Sequence, residues 1–194
     1  MGQIPMPGGW SMAAMWLPMC GQSWLGAAAG FTLAWAGMMV PMMLPLAVAP
    51  LRRYRAALDG AGRASLLTAA AGLAWAATWA AAGLPVYLAG AAVAQALLIT
   101  PALARMMPVL AAVAGVAGAA WHLATWRRRP MHPALPGPPV CAAALLHGAR
   151  LGGHCVRRCA GLTVALLAAG IMETGTMACA IAVVAVESVR LRER

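Results

Sequence analysis

The polar positions of this chain come in bursts, and the runs between them are too apolar for a water-facing surface. Residues 1–51 carry no charged side chain, and Arg52, Arg53, Arg55, Asp59 and Arg63 then follow close together. No charge appears again until Arg105, and Arg127-Arg128-Arg129 closes the next apolar run. Two further uncharged runs end at Glu173 and Glu187, and Arg190, Arg192 and Arg194 finish the chain. A helix that crosses a bilayer needs about 20 mainly apolar residues. The pattern therefore predicts spans near 24–50, 65–87, 106–126, 155–172 and 176–189. Pro41 and Pro45 predict a kink in the first. Residues 90–104 read as a lipid-facing or re-entrant extension of the second. Residues 130–146 read as a Pro-rich loop. Residues 1–22, broken by Gly8, Gly9, Pro18 and Gly21, read as an irregular or interfacial, Met-rich extracytoplasmic segment. They lack the basic start of a secretory signal. The expected fold is an all-α polytopic transmembrane helix bundle of about five spans. Residues 23–194 form a single integral membrane domain.

Composition sharpens this picture. Hydrophobic residues make up 63% of the chain, charged residues only 9%, and the mean hydropathy is +0.78. A soluble domain of this length would need far more charge to cover its surface. The net charge of +10 does not point to nucleic acid, because the 14 basic residues, all arginine, are dispersed among separate loops. Four arginines fall in 52–63, six in 127–158 and three at the C-terminus, against Arg105 alone on the other side. The positive-inside rule assigns the three rich segments, including the C-terminus, to the cytoplasm. Five spans then place the N-terminus outside. Trp10, Trp16 and Trp24 suit an outer interfacial belt, and Trp121 and Trp126 an inner one.

The densest candidate chemistry lies between His147 and Gly175, HGARLGGHCVRRCAGLTVALLAAGIMETG. His154, Cys155 and Cys159 stand where the fourth span is expected to begin. Cys155 and Cys159 are four apart and share a helix face. Glu187 lies 14 residues past Glu173, and at about 1.5 Å per residue it returns to the level of Cys159. His122 and the Met42-Met43 pair are expected near the same level. Thiolate, imidazole and thioether together select soft or borderline ions, copper(I) first and zinc second. The HCxxxC spacing lacks the C-x2-C or paired-histidine form usual for zinc. The competing reading is structural: cysteine packs as a small apolar residue, and Glu187 pairs with Arg157 or Arg158.

A second, outer group is rich in methionine. Met12, Met15 and Met19 are its candidate ligands, with Met6, Cys20, Met106, Met107 and Met172 nearby. Thioethers bind Cu(I) without losing a proton. Met38, Met39, Met42 and Met43 also recur at i, i+4, where a packing seam is the favoured reading. Glu173 reads as a solvated or helix-capping acid. Five cysteines, an odd count, do not suggest a disulfide framework in such a chain. No Walker loop, GxSxG or HExxH is present, and no nucleophile, base and orienter group together, so an enzyme is not expected. Gly83, Gly90, Gly115 and Gly118 offer surfaces for close helix approach. They support an alternative role, a non-catalytic membrane subunit or assembly factor packed against a larger membrane complex.

Several of these motifs occur in a specific order: MMVPMMLP (38–45), Tyr54-Arg55, Trp126-Arg127, HGARLGGHCVRRC (147–159), AGLT (160–163) and GIME (170–173). Over about residues 16–190 the chain resembles the bacterial family of predicted metal-binding integral membrane proteins, some of whose members are labelled copper chaperones. The resemblance implies a multi-pass protein of the bacterial inner membrane that sequesters or delivers metal, with a metal chaperone or a membrane complex as partner. It carries over at His154, Cys155, Cys159, Gly170, Met172 and Glu187. The chain departs from the family pattern where Arg158-Cys159 stands in place of a Cys-Cys pair, where Arg128, Arg129 and Pro130 replace further thiols or imidazoles, and where Glu173 replaces Asp or Asn.

Overall fold

A computed structural model describes residues 2–19, 21–58, 62–126, 140–170 and 174–192. Five helices account for most of it: α1 (Trp24–Ala56), α2 (Ala64–Ile99), α3 (Pro101–Trp126), α4 (Cys141–Ala169) and α5 (Thr174–Arg192). Two short strands, β1 (Gln3–Met6) and β2 (Trp10–Ala13), and a 3-10 turn (Ala14–Trp16) precede them. Helices α1, α2 and α3 are each long and apolar enough to cross a membrane. Leu33 on α1, Leu73 on α2 and Val113 and Val116 on α3 are exposed. Aliphatic side chains so placed suit a lipid surface, where outward-facing residues have no reason to be polar.

Three expectations need correction. The N-terminal segment is not irregular. Its strands pair antiparallel, with Gln3 opposite Ala13 and Met6 opposite Trp10. The turn between them uses Gly8 and Gly9, both at positive φ (110° and 77°), a region open to glycine at no steric cost. Residues 90–104 are not a re-entrant extension either. Helix α2 continues to Ile99, Thr100 is extended, as the residue before a proline prefers, and Pro101 opens α3. The Pro-rich stretch gives way to helix earlier than expected, because α4 begins at Cys141. The rest of that stretch, 127–139, lies outside the described residues.

Local chemistry accounts for the element boundaries. Ser23 caps α1, its hydroxyl accepting from the Gly26 amide at 3.1 Å. Pro41, Pro45 and Pro50 all lie within α1, which continues through them. Pro108 removes the amide that would bond the Ala104 carbonyl within α3. The Trp10 indole N–H donates to that same carbonyl at 2.8 Å. The hairpin is thus fastened to the α2–α3 corner by a group that proline left vacant. Met6 and Met12 pack there against Ala94, Leu97 and Ala104.

The main core lies among α1, α2, α4 and α5. On α1, Phe31, Trp35, Met39 and Met43 recur every fourth residue and are all buried. They join Trp75, Trp79 and Tyr87 of α2, Leu151 and Cys159 of α4 and Val184 of α5 in one contiguous cluster. The Trp35 indole donates to the Trp79 carbonyl at 3.1 Å. Gly83 makes room for it, since a Cβ there would lie 2.8 Å from the Trp35 ring. At the other end of α1, Tyr54 stacks on His147 of α4, with ring centroids 4.4 Å apart.

The Trp10 bond generates a test. Trp10→Phe keeps the aromatic packing and strands the Ala104 carbonyl, a loss of about 1–3 kcal/mol that will appear as a lower melting temperature in detergent. In a Pro108→Ala background the helix supplies its own donor, and Trp10→Phe will cost much less. Equal losses in both backgrounds would sink this account of the fastening.

Candidate metal centre

Helix α4 reaches the core because three of its residues have no side chain. A Cβ on Gly148 would collide with the backbone of Ala71 in α2, and one on Gly152 would lie 2.6 Å from Thr78. On the opposite flank, Gly161 and Gly118 of α3 meet reciprocally. A Cβ on either would come within about 2.6 Å of the other's carbonyl oxygen. Small residues at such crossings let helix backbones pack directly. Gly148, Gly152, Cys155 and Cys159 follow one another at spacings of four, three and four, which keeps them on one face. Once the glycines seat that face on α2, the two thiols are carried into the core. Cys159 is 1% exposed, and Cys155 packs against the main cluster.

The thiols sit midway along α4, not at its mouth. The fourth helix starts well before the expected span, so the cysteines lie at mid-bundle. Their two sulfurs interact with each other. The indole N–H groups of Trp75 and Trp79 approach the Cys155 sulfur, and neither has a hydrogen-bond partner among the described residues. All four described cysteines, Cys141, Cys155, Cys159 and Cys179, are free thiols.

The other expected inner groups are placed differently. Glu187 does return to the level of Cys159, where Arg158 takes one of its oxygens: Nε donates to Oε1 at 2.8 Å. Its second oxygen lies 4.0 Å from Nε2 of His122 in α3. The Glu187 carboxylate is 2% exposed and joins α3, α4 and α5 at one point. His154 turns to its own helix, with Nδ1 3.3 Å from the Arg157 guanidinium. One residue along a helix is a rotation of about 100°, so His154 does not share the face of the thiols. Among the described residues, no three His, Cys, Asp or Glu side chains gather closely enough to hold a metal ion.

The outer methionines separate. Met12 is 5% exposed in the hairpin core, Met15 packs half-buried against the main cluster, and Met19 is 61% exposed. Met12 therefore carries a packing load that an irregular segment would not have placed on it. Two features escaped sequence reasoning. The spacing of Gly148, Gly152 and Gly161 was a readable signal for close packing. The meeting of Trp75 and Trp79 with Cys155 had no signal, because nothing in either segment names the other.

The buried ion pair yields a prediction. Arg158→Met leaves a carboxylate uncompensated in the core and will cost about 3 kcal/mol, the low end for a broken buried pair, because the Arg158 side chain is 24% exposed. Arg158→Met combined with Glu187→Gln removes both charges and will recover most of that loss. Thermal denaturation in detergent separates the two, and a double variant no more stable than the single would count against the pair.

Neither the curated proteins nor the solved structures contain a match to this chain. Residues 32–194 do match a family profile, and that stretch includes α2–α5 and most of α1, with Met39, Met43 and both core thiols. On that match the chain belongs to the PpoB2 family, described as copper chaperones.

Proposed function

We propose that this chain is an integral membrane carrier of Cu(I). It takes copper at the outer face, holds it at Cys155 and Cys159, and passes it to a copper-requiring partner. The observation that carries the reading is the adjacency of two free thiols inside the core of a copper chaperone family member. Thiolate sulfur is a soft donor, and two thiolates suit Cu(I) well. Binding requires the thiols to give up protons. Met15 and Met19 on the N-terminal side are accessible thioethers, suited to first capture. Met12, more deeply set, would join them only when the hairpin loosens. His154, off the thiol face and beside Arg157, would serve exchange with a partner rather than storage.

In the same reading all five helices are embedded in the bacterial inner membrane. The 52–63 and 127–139 segments and the C-terminus are on the cytoplasmic side, in keeping with the arginine distribution. The thiols then sit at mid-membrane, where copper is sequestered from water and from oxidants.

The decisive measurement is a Cu(I) competition titration on the purified protein in detergent. Cys155→Ser and Cys159→Ser will each weaken binding by more than about a hundredfold, since losing a ligand must cost more than losing an orienting neighbour. Membrane insertion will be unchanged, because neither substitution adds charge. Parent protein that binds no Cu(I), or serine variants that bind as tightly as the parent, would end the reading. Replacing Met12, Met15 and Met19 together by Leu preserves apolar volume and will slow copper loading from outside while sparing the bound stoichiometry.

A further inference from the structure

We propose that Met39 and Met43 supply thioether ligands to the copper ion held by Cys155 and Cys159, so that the centre of the bundle is an all-sulfur Cu(I) site. This rests on the reading of the thiol pair as the copper site and adds the α1 face to it.

The seam reading of these methionines accounts for their spacing and not for their company. Met39 and Met43 are 1% and 0% exposed. They belong to the same contiguous buried cluster as Cys159, and Cys155 packs against that cluster. Each pair is spaced i, i+4, so each presents two sulfurs from adjacent turns of its own helix. Trp75 and Trp79 share the cluster. Their indole N–H groups are buried without a hydrogen-bond partner among the described residues, and both approach the Cys155 sulfur. Buried donors are costly to leave unpaired, and these two line the same cluster that holds Met39, Met43 and Cys159.

The available donors point the same way. Among the described residues no third His, Cys, Asp or Glu gathers with the two thiols, and the soft donors the buried cluster adds are the Met39 and Met43 thioethers. Charge favours them as well. Two thiols that bind Cu(I) form two copper–sulfur bonds and release two protons, leaving a site of net charge −1. Thioethers add coordination without adding charge, which is what an interior of low dielectric tolerates. No change in the oxidation state of copper is involved.

Selenomethionine-labelled protein loaded with Cu(I) alone tests this directly by X-ray absorption at the copper edge. The expected result is a copper–selenium distance in the parent that disappears in the Met39→Leu/Met43→Leu variant. Competition titration of that variant will show Cu(I) affinity lower by about tenfold or more, with membrane insertion unchanged, since leucine conserves the volume. Absence of any copper–selenium distance in loaded parent protein overturns the proposal without requiring any variant to fold. So does an unchanged affinity in the double leucine variant. In either case Cys155→Ser and Cys159→Ser still report on the thiol site itself. Their failure to weaken binding would remove the underlying reading, whereas their success beside a silent methionine pair would remove only this extension.

Discussion

Close approach of the α4 backbone to its neighbours is the constraint on which this molecule depends. Gly148 against Ala71, Gly152 against Thr78 and Gly161 against Gly118 leave no room for a side chain on α4 at any of the three places. In the membrane setting proposed for this chain there is little hydrophobic drive to bring helices together, so close packing would supply the attraction. These contacts hold α4 between α2 and α3 and rotate it until its Cys155–Cys159 edge faces inward. A larger residue at any of the three would move the helix, and the thiols would move with it.

The buried Glu187 carboxylate completes the assembly. Glu187 engages Arg158 of α4 and lies opposite His122 of α3, so the last helix is held by charge as well as by the packing of Val184. Such a pair adds little net stability compared with an apolar substitute, yet it is costly to break. That asymmetry suits a register device. It admits one rotation of α5 and penalises the others. The same pair places a guanidinium beside Cys159 without leaving an uncompensated charge in the core.

The N-terminal hairpin shows how a small element is recruited by a defect in a large one. Pro108 frees the Ala104 carbonyl, and the Trp10 indole takes it. Met6 and Met12 then cover the α2–α3 corner. Methionine thus has two kinds of place in this protein. Some side chains, such as that of Met19, are exposed, and others, those of Met39 and Met43, are enclosed in the cluster that also holds Cys159.

Hydropathy and charge spacing by themselves determined the helical class, the long apolar helices and the placing of Cys155 and Cys159 on one face. Each of these depends on near neighbours in the chain, through helix periodicity and the cost of burying charge. The order of motifs also determined the family. The true start of α4 was not legible, because Pro-rich and polar residues before Cys155 read as loop until the contacts of Gly148 and Gly152 are known. The hairpin was missed because its stability comes from a distant carbonyl. The partition of Glu187 to Arg158, the turning of His154 to Arg157, and the gathering of Met39, Met43, Trp75, Trp79 and Cys159 into one buried cluster were decided only by the tertiary structure. These are relations between helices, set by rotation about each helix axis, and a rotation of about 100° per residue makes ligand and bystander neighbours in sequence.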